Sequence, residues 1–220
     1  MPDVMTPWSV AVRDRTLVVT FPAPYRVLSW APLGEGLIEA RTIFNRQVRT
    51  DEDPAQEPAL FLRALAQRLD LRVPVVGLMT GVKMERLVRR IVRHDLLVIE
   101  CLATVGLSNA LAVGDPATYE GGPGTINLII VANQPLSPAA LVEAVEIATE
   151  AKVCALYAAG VASTVSDALA TGTGTDCAAI ACPATEPAYR YCGKHTRLGE
   201  LLGRVVCEAV AEGLQGAQRN

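Results

Sequence analysis

Apolar and polar residues alternate through Val10 and Val12 and again through Leu17, Val19 and Phe21, around Arg13-Asp14-Arg15. That period predicts two strands joined by a tight turn. Pro22 and Pro24 then break the pattern, and Leu33-Gly34-Glu35-Gly36 reads as a flexible turn before Leu37 to Val48, a segment of open type carrying Asn45. Beyond the acidic, proline-containing stretch Asp51 to Pro58, apolar residues return at Phe61, Leu62, Leu65 and Leu69. This spacing predicts a helix over Pro58 to Leu69, with Pro58 suited to its first turn. Val73 to Met79 predicts a short strand ending at Thr80-Gly81. Lys83 to Val92 predicts a helix with Met84, Leu87, Val88 and Ile91 inward and Lys83, Arg86, Arg89, Arg90 and Arg93 forming a solvated cationic face.

Leu96 to Val105 and Thr125 to Ala132 predict two further strands, separated by Gly106-Leu107-Ser108-Asn109-Ala110 and the cluster Gly121-Gly122-Pro123-Gly124. Ser137 caps and Pro138 opens a helix running to near Leu156. A helix of small residues follows over Tyr157 to Leu169. Leu198, Leu201, Leu202, Val205, Val206, Ala209 and Val210 then form the stripe of a last helix against a core, and the polar tail 213–220 is expected to fray. Strands thus alternate with helices after an N-terminal β-hairpin. The expectation is one α/β domain over 1–220, with a mixed β-sheet packed by helices.

Composition narrows the function. Twenty basic residues are offset by 23 acidic ones, a net charge of −3, so nucleic acid is not an expected partner. The start shows no basic flank followed by an apolar core, and no apolar stretch reaches membrane-spanning length, so a cytoplasmic protein without membrane contact is expected. Oligomeric state stays open, a homo-oligomer included. Cys101, Cys154, Cys177, Cys182, Cys192 and Cys207 lack close C-x-x-C pairs and read as reduced thiols.

The segment Ala170-Thr-Gly-Thr-Gly-Thr-Asp-Cys177 is the densest candidate chemistry. Its glycines admit close backbone approach, and its threonines supply donors, acceptors and a nucleophile. Gly193-Lys194-His195-Thr196 is the second candidate. Nucleotide motifs do not fit either: His195 stands between Gly193-Lys194 and Thr196, and Cys177 stands where a third dinucleotide glycine belongs. His94, His195, Asp115, Asp167 and Asp176 have no metal-pair spacing, so no protein metal site is expected. Acyl transfer fits better, with His195 as base, Thr171, Thr173 or Thr175 as nucleophile, loop amides as oxyanion donors and Asp176 orienting His195. Thr80-Gly81, Ser108-Asn109 and Thr125-Asn127 border strand ends and would line the same cleft.

Four segments, Thr104-Val-Gly-Leu-Ser-Asn-Ala110, Gly124-Thr-Ile-Asn-Leu128, Thr149-Glu-Ala-Lys152 and Ala170-Thr-Gly-Thr-Gly-Thr-Asp176, with the tail Gly193-Lys-His-Thr-Arg-Leu-Gly-Glu200, resemble in order and spacing the adenosylcobinamide amidohydrolase family, the CbiZ type. The resemblance spans Val27 to Val206, and Leu33-Gly-Glu-Gly36 is not aligned within it. It implies that water cleaves the aminopropanol amide of adenosylcobinamide, giving adenosylcobyric acid and 1-amino-2-propanol in corrinoid salvage for coenzyme B12 synthesis. The implied protein needs no cofactor, since cobalt arrives within the corrinoid substrate. Catalytic candidates are His195, Asp176, Thr173 and Thr175; substrate-binding candidates are Ser108, Asn109, Thr125, Asn127, Glu150, Lys152, Thr171, Gly172, Gly174, Lys194 and Thr196. A non-catalytic corrinoid-binding protein and a hydrolase of a different amide are the alternatives.

Overall fold

The computed structural model describes residues 6–49, 57–117, 124–186 and 188–217. Strands β1 (Ser9–Arg13) and β2 (Thr16–Ser29) pair antiparallel through a two-residue turn at Asp14 and Arg15, both in the left-handed region, which matches the right-handed twist of the strands. Pro22 and Pro24 do not end β2. The strand passes through them with a register shift between Thr20 and Tyr25, the irregularity at which a sheet tolerates proline. β3 (Gly36–Gln47) resolves the open segment as a strand, and α1 (Pro58–Arg68) and β4 (Val75–Thr80) follow as expected. Most of the acidic stretch before α1 and most of the cluster at 121–124 lie outside the described residues.

The basic segment departs from the predicted helix. A single 3-10 turn at Met84–Arg86 leads into β5 (Val88–His94), which pairs antiparallel with β6 (Leu97–Val105). Val88, Ile91 and Val92 satisfy helical spacing, yet β-branched residues also suit a strand, and pairing with β6 decides between them. Exposed Arg89, Arg90 and Arg93 line this edge of the sheet, a charged row that discourages pairing with another chain. Two-residue β7 (Ala110–Leu111) precedes β8 (Ile126–Ala132) and α2 (Pro138–Ala158), whose cap Ser137 accepts the Ala140 amide at 3.1 Å. The helix expected over Tyr157 to Leu169 is absent: Gly160, in the left-handed region, ends α2, and the polar residues beyond it form turns. Ser163 and Ser166 bond Asp115, while Thr164 bonds the Ala110 carbonyl, side-chain links that compete with helix. β9 (Gly172–Thr173), β10 (Cys177–Pro183) and α3 (Arg197–Ala217) complete the chain.

The eight-stranded sheet runs β4-β3-β2-β10-β8-β6-β5, with β1 also on β2, parallel at β10/β8 and β3/β4 and antiparallel elsewhere; β7 and β9 form a small sheet apart. This is one mixed α/β domain with an N-terminal hairpin. Strands that are not neighbours in the order meet through side chains. Asn127 on β8 bonds Asn45 on β3 at 3.1 Å and the Met79 carbonyl on β4 at 2.6 Å. The sheet therefore curls back on itself, enclosing a core of Val19, Phe21, Val27, Ile43, Leu78, Leu102, Ile129 and Ala179. Outside it, α1 covers Val18 and Phe44, and α2 with α3 covers β5, β6, β8 and β10.

α3 does not fray at Gly213, which is buried and pressed on β6. A methyl group there would lie 2.9 Å from Val105 Cβ, with Val105 Cγ2 nearer still. Gly213→Ala is thus expected to destabilise the fold by about 1–3 kcal/mol, because overpacking outweighs the helix propensity gained. A lower midpoint in urea unfolding checks it.

Candidate active site

The curled sheet brings one set of strand ends together: the last residues of β4 and β6 and the first of β8 and β10. The threonine and glycine loop lies here, and its three hydroxyls have different fates. Thr171 Oγ1 accepts the Val113 amide at 2.8 Å, and Thr175 Oγ1 donates to the Gly124 carbonyl at 3.2 Å. Thr173 Oγ1 instead donates to Asp176 Oδ1 at 2.5 Å. Of the three, Thr173 is the one whose hydroxyl rests on a group able to take its proton.

Asp176 is held from three further directions. Its Oδ1 accepts the Ile126 amide at 3.0 Å, its Oδ2 pairs with Lys152 Nζ from α2, and its main-chain oxygen accepts Trp30 Nε1 at 2.7 Å. The Lys152 and Asp176 side chains are each 13 % exposed, so the ion pair is largely shielded from water. Gly172 makes room for it. A methyl group at that position would lie 2.8 Å from Lys152 Nζ and closer still to Asp176 Oδ2.

Asn109 forms the facing wall. Its main-chain carbonyl accepts the Gly174 amide at 3.1 Å, while its buried Nδ2 has no hydrogen-bond partner among the described residues. Burying an amide without a partner costs on the order of 1–3 kcal/mol, so this donor has hydrogen-bonding capacity to spare. Glycine at 174 keeps a side chain off this donor, because a methyl group there would stand 2.8 Å from Nδ2. Ser108 lies beside Asn109, and a cavity of about 320 Å³ opens between Ser108, Gly124, Gly106 and the cationic residues Lys83 and Arg86.

Thr125 and Asn127 support the loop from beneath. Thr125 Oγ1 donates to the Thr175 carbonyl at 2.9 Å and contacts Asn127 Oδ1 at 3.1 Å. Asn127 Nδ2 continues the chain to Asn45, whose own Nδ2 reaches Thr104 Oγ1 at 3.1 Å. Asn45, Thr104 and Asn127 are almost wholly buried, so their amide and hydroxyl groups brace the strands.

The second predicted cluster lies on another flank of α2. Lys194 Nζ pairs with Glu150 at 2.7 Å, lining a separate cavity of about 510 Å³ between α2 and α3. Glu150 and Lys152, two residues apart on a helix, point about 160° apart. His195 is exposed in the adjoining turn and makes no hydrogen bond to Asp176. Thr196 is the cap of α3: its Oγ1 accepts the Gly199 amide at 2.9 Å. Geometry therefore joins Thr173, Asp176, Lys152 and Asn109, and leaves His195, Lys194 and Glu150 apart from them.

Burial pushes the Cys177 thiol up to about 12, which leaves it protonated beside the loop. Among the described residues no group of three or more His, Cys, Asp or Glu converges to hold a metal ion, and no helix is long and apolar enough to cross a membrane. Sequence reasoning missed Trp30, Asn45 and the bond between Lys152 and Asp176. Trp30 carried a faint signal, a large aromatic residue at a strand end in a chain with only two tryptophans.

The adenosylcobinamide amidohydrolase (CbiZ) family model matches residues 2–220. An adenosylcobinamide amidohydrolase of Methanosarcina mazei is 29 % identical over 214 residues, covering 93 % of this chain and 96 % of its own. One from Halobacterium salinarum is 35 % identical over 147 residues, covering 62 % of this chain and 57 % of its own. A β-aminopeptidase of known structure from Burkholderia sp. matches 94 % of this chain and 79 % of its own, with a TM-score of 0.47 and 15 % identity. With the family model matched along nearly its whole length, the chain is an amidohydrolase and belongs to the adenosylcobinamide amidohydrolase family.

Proposed function

We propose that the protein hydrolyses the aminopropanol amide of adenosylcobinamide through an ester on Thr173, giving adenosylcobyric acid and 1-amino-2-propanol and serving corrinoid salvage for coenzyme B12 synthesis. The observation that carries this reading is the bond from Thr173 to Asp176, because an unactivated hydroxyl is a weak nucleophile and this one has an acceptor in line.

Thr173 Oγ attacks the amide carbonyl carbon as its proton passes to Asp176 Oδ1. The carbonyl oxygen, gaining negative charge, is received by Asn109 Nδ2, the donor left open in the ground state. The carbon–nitrogen bond then breaks, and the departing amine takes the proton from Asp176. Water next attacks the Thr173 ester, giving a proton to Asp176, and the carbon–oxygen bond breaks as Thr173 recovers a proton. The net change is amide plus water to carboxylate and ammonium. Lys152 is a positioning residue that holds Asp176 toward Thr173.

Competing cobinamide against simple propionamides at equal concentration tests the substrate. The reading expects cobinamide to be consumed first; preference for a simple amide would overturn it. His195→Ala is expected to leave the rate within about threefold, whereas loss of a general base costs about a hundredfold or more. Steady-state rates of the folded variant decide between these.

A further inference from the structure

Trp30 stands apart from the other tryptophan. Trp8 is 4 % exposed and spends its indole N–H on buried Glu100, whereas Trp30 is 48 % exposed at the end of β2. Its orientation is nonetheless fixed. The indole N–H donates to the Asp176 carbonyl at 2.7 Å, and the residues on either side are stitched down: Ser29 Oγ donates to the Ala178 carbonyl at 2.8 Å and accepts the Ala31 amide at 3.0 Å. With its one polar atom already engaged, the exposed part of the ring offers only an apolar π face.

That face is tied to the residue that receives Thr173. Asp176 bonds Trp30 through its main chain and Thr173 through its side chain, so the indole and the hydroxyl flank one residue. A substrate whose reacting amide hangs on a short propionamide arm from a broad, partly conjugated macrocycle would be served by such a surface beside the reacting atom. We infer that Trp30 is the wall on which the corrin macrocycle of the substrate stacks, a specificity-determining residue rather than a catalytic one. The inference rests on the corrinoid reading above.

The experiment compares Trp30→Ala with Trp30→Phe, each checked for folding by circular dichroism. Steady-state kinetics on adenosylcobinamide is paired with equilibrium dialysis of adenosylcobyric acid, which has the same macrocycle and no amide to cleave at that arm. Trp30→Ala is expected to raise KM and the dialysis Kd about tenfold with kcat within about threefold, in keeping with stacking on an aromatic ring. Trp30→Phe keeps a ring but loses the bond to Asp176, and is expected to stay within about threefold of wild type. Equal damage by both variants, or a fall in kcat at unchanged KM, would overturn the inference by making Trp30 a support of Asp176. Unchanged KM and Kd in Trp30→Ala would overturn it as well. If the wild-type protein binds no corrinoid in dialysis, the corrinoid reading fails and this inference with it.

Discussion

Thr173→Ala is expected to lower turnover of adenosylcobinamide by about 10²–10⁴-fold while the protein still folds and still binds corrinoid. The size of the effect follows from what is removed. In the proposed mechanism Thr173 supplies both the attacking oxygen and the proton passed to Asp176, and neither neighbouring threonine hydroxyl is set to replace it. Thr171 is spent accepting an amide, and Thr175 gives its proton to the Gly124 carbonyl, which cannot act as a base. Thr171→Val and Thr175→Val are accordingly expected to cost less than about tenfold, through small shifts of the loop. Thr173→Ser, which keeps the hydroxyl, should retain much of the rate. Steady-state rates of these four variants, with corrinoid binding measured in parallel, check the pattern. Equal losses at all three threonines would point to a loop that merely holds its shape.

Lys152→Met is expected to be the second large effect, and it should appear in stability as well as in rate. Removing one partner leaves the Asp176 charge in a site that is mostly shielded from water, with only the Thr173 hydroxyl and the Ile126 amide to hold it. The expected loss is about 2–4 kcal/mol, below the range for a fully buried pair because both side chains keep 13 % exposure. Lys194→Met provides the contrast. Lys194 and Glu150 are 63 % and 46 % exposed, so solvent screens the pair and its loss is expected to leave stability nearly unchanged. Urea unfolding of the two variants measures the difference. If Asp176→Asn restores the stability of Lys152→Met without restoring activity, the stranded charge is the cause of the loss.

Much of the fold was legible where one period dominated. The hairpin around Asp14 carries alternation, the strands ending at Val105 and Ala132 are short continuous apolar runs, and the final helix has a clean apolar stripe. The segment after Lys83 was not, because Val88, Ile91 and Val92 satisfy both periods and the choice depends on a partner strand distant in the sheet order from the hairpin. The stretch after Tyr157 misled for a different reason: its small residues suit a helix, but Ser163, Ser166 and Asp115 prefer each other.

The site was legible in part. Glycines at 172 and 174 signalled a loop that something must approach closely, and those glycines do admit Lys152, Asp176 and Asn109 at short range. The pairing itself was hidden. Lys152 and Asp176 lie on a helix and at the start of a strand, and no spacing rule links such positions. His195 drew attention as a rare, chemically apt residue, yet the turn of the helix that separates Glu150 from Lys152 also separates its neighbourhood from Asp176.

The central claim is amide hydrolysis on a corrinoid. Incubating the purified protein with adenosylcobinamide and separating the products by mass tests it most directly. Adenosylcobyric acid and 1-amino-2-propanol formed in equal amounts is the predicted result; a folded protein that binds the corrinoid and returns it with its mass unchanged would contradict it.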